Sequence, residues 1–232
     1  MSDKPKSSLY LRIASAIVLA PLVLYPLVVG GTAFTVLIFV AVILSLYEWA
    51  RMAKLLPHPF LTAFIGAAYI LLCFGAFLYL GKTYGAGHAL CLVLAVWASD
   101  IGAYFTGKTF GGPKMAPSIS PNKTWSGLFG GMVASGGSVV GYALWLGPIL
   151  TEKMGQSMMV GEYTSVPVLF AVGAGVTIAG QAGDLIESAQ KRKSGLKDSS
   201  NLIPGHGGIL DRIDALLLAS PYFLLVMMAL YA

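Results

Sequence analysis

Charge is what this sequence has least of. Asp, Glu, Lys and Arg fill 11% of its 232 positions, against about a quarter in a typical soluble domain. Apolar residues fill 56% and mean hydropathy is +0.77, which excludes an ordinary water-soluble globule and puts the membrane class first. Cysteine is nearly missing. Cys73 and Cys91 are the only two, and both lie inside apolar runs, where a thiol acts as a small hydrophobe. Their number and spacing exclude a disulfide framework or a cysteine-based zinc site. Internal repeats and low-complexity tracts are also lacking. A formal charge of +5 could suggest a nucleic-acid partner, but the placement of the charges argues for none.

What the chain has is apolar runs of membrane-crossing length. A helix needs roughly 20 apolar residues, at about 1.5 Å rise each, to cross the hydrocarbon core. The hydropathy predicts spans at 9–29, 32–50, 59–80, 86–106, 126–147, 164–187 and 211–231. Gly30-Gly31, Pro57-His58-Pro59, Gly111-Gly112-Pro113 and Pro204-Gly205 punctuate them. The fold class expected is therefore all-α: one polytopic integral membrane bundle over residues 1–232, with about seven transmembrane helices, or eight. The first run follows a basic stretch as a signal peptide would, but it lacks a small-residue cleavage site and leads straight into the next span. It is read as retained.

Lys and Arg set the orientation, because cytoplasmic loops hold the excess. With the N-terminus inside, thirteen of the 15 basic residues fall on the inner side, Lys4, Lys6 and Arg12 among them, and only Lys82 and Lys153 outside. The C-terminus is then outside, and the polar regions within 98–127 and 180–215 face the cytoplasm.

Ionisable groups in or against spans are costly, roughly 2.5–3.5 kcal/mol each at the bilayer centre, and so raise a functional question. Asp100, Asp184, Glu187, Asp211 and Asp214 all fall near the inner ends of three spans. On a helix, Asp184, Glu187, Ser188 and Lys191 share one face, with Lys191 about 10 Å along the axis from Asp184. Asp211 and Asp214 share another. Helix capping and interfacial pairing would account for any one of these acids, but five acids with several cations on one side exceed what capping requires. An oxygen-rich, thiol-poor inventory of this kind suits Mg²⁺ rather than zinc. Between the two faces, Gly205, Gly207 and Gly208 would let backbone N–H groups approach an anion, and Lys191, Arg192, Lys197 and Arg212 supply charge for phosphates. A basic, lipid-facing loop with a glycine turn is the plainer alternative.

The stretch GDLIESAQKRKSGLKDSSNLIPGHGGILDRID, from Gly183 to Asp214, closely resembles the C-terminal signature of the phosphatidate cytidylyltransferase family. Its places are filled by Ser188, Lys191, Arg192, Lys197, Asp198, Pro204 to Gly208, Asp211, Arg212 and Asp214. Ser120-Pro121-Asn122-Lys123-Thr124-Trp125 is similar to the family's Ser-Pro-x-Lys-Thr loop, and Asp100 with Ala103-Tyr104, and Glu48-Trp49-Ala50-Arg51, resemble it more faintly. Ser126 and Ala215 depart from the pattern, standing where an acid and a serine are expected.

The resemblance implies a nucleotidyltransferase of the bacterial inner membrane. Phosphatidic acid attacks the α-phosphorus of CTP, giving CDP-diacylglycerol and pyrophosphate. It implies Asp184 and Asp211 as Mg²⁺ ligands, with Asp214 supporting them or holding a second cation. Ser188 and Lys191 join Asp184 and Asp211 as catalytic residues. Lys123, Arg192, Lys197, Asp198, Arg212 and the Gly205–Gly208 backbone bind substrate. His206 is open between binding a phosphate, binding the base and locking the turn. CTP, phosphatidic acid and membrane lipid are the partners, with a homodimer left open. Two rivals remain at this point. A CTP-dependent polyprenol or phytol kinase would transfer the γ-phosphoryl group instead. An ion-coupled transporter would call for repeated halves and acids at the midplane, and neither is found.

Overall fold

The computed structural model describes residues 7–154 and 164–231, with side chains from Ser15 and then from Ile17 onward. Lys4, Lys6 and the Arg12 side chain, counted in the charge bias, lie outside the described residues. The order is α1 (Ser7–Val29), α2 (Gly31–Ala53), α3 (Pro59–Thr83), α4 (Ala86–Phe110), β1 (Lys114–Ala116), β2 (Ser120–Thr124), α5 (Trp125–Gly141), a π-helical turn (Tyr142–Leu146), α6 (Gly147–Met154), α7 (Val166–Lys193) and α8 (Leu210–Leu230). Six of the described stretches are long and apolar enough to cross a membrane. One of them is the continuous rod α5–π–α6, at Trp125–Lys153. α1, of 23 residues, covers the remaining predicted segment, and its described apolar part is the shorter stretch Ile17–Val29.

Local chemistry sets the ends. Gly111 closes α4 at φ +61°, a left-handed conformation that side chains disfavour. Pro59 opens α3 at its first turn, where its missing N–H costs nothing. Thr124 caps α5, its Oγ1 accepting from Gly127 N at 3.1 Å. Several helices run past the ends the hydropathy predicts, and two of these overruns matter for the site. α4 continues to Phe110 and α7 to Lys193, so that the polar residues following the last apolar turn are still helical.

The expected all-α architecture gains one feature. The polar segment after α4 folds into an antiparallel hairpin, pairing Lys114 with Thr124 and Ala116 with Ser120.

The bundle is inverted relative to a soluble protein. Phe39, Phe64, Leu72, Phe129, Trp145 and Leu225 are exposed around its sides, where lipid is the solvent. Ile38, Trp49, Phe74, Phe77, Leu92 and Phe223 fill the interior. Without a hydrophobic difference between lipid and Leu, helices associate through close packing at small residues. A Cβ on Gly183 would meet the Asp214 carbonyl oxygen at 2.5 Å, and one on Gly173 would meet the Ser135 carbonyl oxygen at 2.5 Å. α7 is therefore seated backbone-to-backbone on α8 near the polar end, and on α5 farther along. At the opposite end of the bundle Tyr84, His88 and Tyr231 form an aromatic cluster with ring centroids 5.5–5.7 Å apart.

Gly173→Ala tests this seam. The added methyl meets backbone, which cannot rotate away, so overpacking is expected to cost about 1–3 kcal/mol and to lower the melting temperature in detergent. Gly137→Ala, whose Cβ meets nothing within 4 Å, serves as the control. Equal melting of the two variants would show that the α5–α7 distance is not fixed by backbone contact.

Candidate active site

The α2 C-terminus, the α4 C-terminus, the hairpin, the end of α7 and the start of α8 all meet at one end of the bundle. Every site residue named from the sequence is on or between these elements, but they divide into two groups.

The first is centred on Lys191. Its Nζ lies 2.6 Å from Asp211 Oδ1 and 3.1 Å from Glu187 Oε2, with all three side chains at least nine-tenths buried. The other Asp211 oxygen, Oδ2, accepts from Ser199 N at 2.9 Å, Ser199 Oγ at 2.9 Å and Gly208 N at 2.8 Å. Four donors therefore surround one carboxylate. Glu187 Oε1, by contrast, is buried with no hydrogen-bond partner.

The second group is centred on Asp184. Its Oδ2 is 2.6 Å from Lys123 Nζ, and its Oδ1 accepts from Ser188 Oγ at 3.0 Å. Lys123 comes from the hairpin, so this ion pair fastens the hairpin to α7. Arg192 adds a second fastening through Nε to the Ile119 carbonyl at 3.3 Å. Ser126, standing where an acid was expected, donates from Oγ to the Gly111 carbonyl and ties down the hairpin's base. Ala215, the other departure, is buried against Gly180.

Two cavities open here. One, of about 210 Å³, is polar-rimmed and includes Asp100, Tyr104, Asn122, Lys123, Gln181 and Asp184 in its lining. The other, of about 400 Å³, runs between α1, α4, α8 and the loop before α8. Val23, Val93 and Leu216 line its walls, and Asp100, His206 and Arg212 are its polar groups. Asp100 lines both, so the two cavities adjoin at that carboxylate.

The loop before α8 is built by a turn. His206 N donates to the Ile203 carbonyl at 2.9 Å, with Pro204 and Gly205 between them and Gly205 at φ +77°. Proline followed by a positive-φ glycine is the requirement of a type II turn. Two of the four amides at 205–208 are spent within the protein, on Ile203 and Asp211. Gly207 also pairs with Ile203 in an isolated antiparallel bridge, its carbonyl accepting from Ile203 N at 2.8 Å, which closes the turn on itself. His206 Nδ1 lies 2.7 Å from Ser15 Oγ on α1, which favours neither a purely structural role nor a ligand role, because His206 also lines the larger cavity. Lys197, Asp198 and Arg212 are exposed, and Lys197 and Asp198 enter neither group.

The acids can be judged for their fit to Mg²⁺ by their donors. Asp211, expected among the ligands, does not fit in this arrangement because protein donors already occupy both of its oxygens. Asp184 and Asp214 fit better. Asp214 takes the Ala215 amide and lies against Glu187 and close to Asp184, and a cation would relieve such a gathering of carboxylates. Among the described residues no three His, Cys, Asp or Glu side chains converge as a ready-made metal cage. Mg²⁺ does not require one, since it is commonly held by one or two carboxylates with water and substrate phosphates.

Sequence reasoning noted Glu48 only in a faint family resemblance and gave it no role in the site. This α2 residue is fully buried. Its Oε1 accepts from Ser200 Oγ at 2.5 Å and Ile209 N at 2.9 Å, and its Oε2 from Ser199 Oγ at 2.8 Å and Leu210 N at 2.9 Å. The available signal was a lone acid in an apolar span.

A membrane bundle with cations and carboxylates gathered at one end, beside a cavity walled by apolar side chains, defines a class: polytopic membrane proteins that handle anionic phosphates next to lipid. The chain belongs to the cytidylyltransferase family, whose sequence profile matches residues 56–230. It is 36% identical over 221 residues to the phosphatidate cytidylyltransferase of Rickettsia bellii, covering 94% of this chain and 90% of that protein. It is 32% identical over 261 residues to the one from Brucella suis, covering 92% and 91%. With that of Bacillus subtilis it shares 40% identity over 167 residues, covering 70% and 57%.

Proposed function

We propose that this chain transfers the cytidylyl group of CTP to phosphatidic acid, releasing pyrophosphate and leaving CDP-diacylglycerol in the membrane. The observation that carries the reading is the pair of adjoining cavities. The larger suits a phosphorylated lipid, with acyl chains along the α1, α4 and α8 walls and the headgroup toward Arg212 and His206. The smaller suits part of the nucleotide, with Lys123 against its phosphates. Asp100, common to both, marks where the two substrates meet. Relatives named phosphatidate cytidylyltransferase along nearly the whole chain support the same assignment.

In the reaction a phosphate oxygen of phosphatidic acid forms a bond to the α-phosphorus of CTP, and the bond from that phosphorus to the bridging β-phosphate oxygen breaks. A phosphate monoester is already anionic near neutral pH, so no strong base is needed. Catalysis rests on positioning and charge neutralisation. Lys123 and Arg212 hold phosphates, Asp184 orients Lys123, and the turn at Gly205 lets the backbone approach an anion closely. Mg²⁺, held by Asp184 and Asp214, would draw charge off the polyphosphate when bound. The site faces the cytoplasm of a bacterial inner membrane, where CTP is found.

The test uses purified protein, phosphatidic acid, Mg²⁺ and CTP labelled at either phosphorus. Label from the α-position is expected in the lipid phase and label from the γ-position in pyrophosphate. γ-Label in the lipid would identify a kinase instead and overturn the assignment.

A further inference from the structure

Glu48 is a carboxylate with no net access to water, on a membrane helix, and no lysine or arginine lies within ion-pair distance of it among the described residues. A buried charge without a counterion is expensive unless dipoles replace its hydration. Here four donors do so, and all four belong to one segment, 199–210. Two are backbone N–H groups at the start of α8, which have no partner within the helix itself and sit at its positive end. The α8 N-cap, Ile209, makes no side-chain cap. The cap comes from α2 instead, some 160 positions earlier in the chain.

The contact cannot be incidental to the site. Ser199 Oγ lies 2.8 Å from Glu48 Oε2 and 2.9 Å from Asp211 Oδ2. It has a single proton to share between the two carboxylates. A Cβ on Gly208 would fall 2.4 Å from Glu48 Oε1 and 2.0 Å from Ser199 Oγ, so the last glycine of the turn leaves the room that Glu48 occupies. Glu48, Ser199, Gly208 and Asp211 form one connected unit, and α8 emerges from it carrying Asp211, Arg212 and Asp214.

We propose that Glu48 is a positioning residue of the transferase. By capping α8 and gripping Ser199 and Ser200 from the opposite helix, it fixes the phosphate-facing loop and the register of Asp211 to Asp214 relative to α7. It touches neither substrate. Its contribution is to the geometry of the transition state rather than to the affinity for CTP or phosphatidic acid. This rests on the cytidylyl-transfer reading above.

Glu48→Gln keeps the shape but turns an amide NH₂ toward groups that are themselves donors. Loss of a residue that orients the groups at the reacting centre commonly costs about 10–100-fold in activity. The expected result is therefore a kcat lower by about that factor, with both KM values within about threefold and a monodisperse protein of near-normal melting temperature. If Glu48→Gln does not fold, Ser199→Ala takes its place, since it removes only the hydroxyl joining Glu48 to Asp211. A kcat lower by about tenfold at unchanged KM is then expected. A folded Glu48→Gln with wild-type kcat overturns the proposal. So does a kcat that falls only in proportion to the folded fraction, or, where that variant does not fold, an unaffected Ser199→Ala. Wild-type protein that transfers no α-label would instead sink the parent reading, and the two failures are distinguishable.

Discussion

Asp184→Asn is expected to lower cytidylyl transfer by about 10²–10³-fold, the cost of losing one charged group at a reacting phosphate, while leaving the protein folded. The side chain is 27% exposed, so its pairing with Lys123 adds at most about 1 kcal/mol to stability, and Asn still accepts from Ser188. What changes is charge. The amide can neither hold Lys123 by ion pairing nor offer a full negative charge to Mg²⁺. Initial rates with α-labelled CTP across a range of Mg²⁺ concentrations check this. More than a tenth of wild-type activity at ordinary Mg²⁺ would mean that Asp184 only fastens the hairpin. Recovery at high Mg²⁺ would support its place as a ligand.

Lys191→Met is expected to damage the fold itself. Its ammonium lies between Glu187 and Asp211, which are 1% and 5% exposed. Removing one partner of a buried ionic cluster leaves uncompensated charge, at a cost of about 3–5 kcal/mol, a large part of the roughly 5–15 kcal/mol by which proteins are stable. Most of the variant should be lost on extraction into detergent. Lys191→Met with Glu187→Gln removes one charge of each sign and should recover folded protein, but without activity, since Asp211 still lacks its cation. A single variant with wild-type melting would refute the buried-cluster account. Arg192 stands apart: exposed, and bonded to the carbonyls of Ile119 and Leu196, it should lose little stability on replacement. The sequence treats the Lys-Arg pair as equivalent phosphate cations, whereas the structure makes Lys191 an internal counterion.

That contrast marks the limit of what was legible. The spans could be read because each is set by its own apolar run, and the hydrocarbon forces its backbone to satisfy itself within the helix. The site's location was legible too, since acids are too costly in lipid to stand where nothing uses them. The pairings were not. Helical spacing predicted that Asp184, Glu187, Ser188 and Lys191 share a face, and they do. It could not foresee that Lys123 reaches Asp184 across 61 positions, or that Asp211 turns toward Ser199 and Gly208. Nor could it show the hairpin, because three- and five-residue strands leave no periodicity to detect. Glu48 was the hardest, with its partners 151–162 residues away and no other acid on its own helix.

The charged groups lie at one end of the bundle and the Tyr84–His88–Tyr231 cluster closes the other. A product formed at the charged end is released into the monolayer from which its lipid came. The exchange is one lipid for one lipid within that leaflet, so turnover leaves the number of lipids there unchanged and alters only the size and charge of their headgroups. A bundle with its polar chemistry at a single end therefore changes the surface charge of one monolayer without disturbing the balance of area between the two.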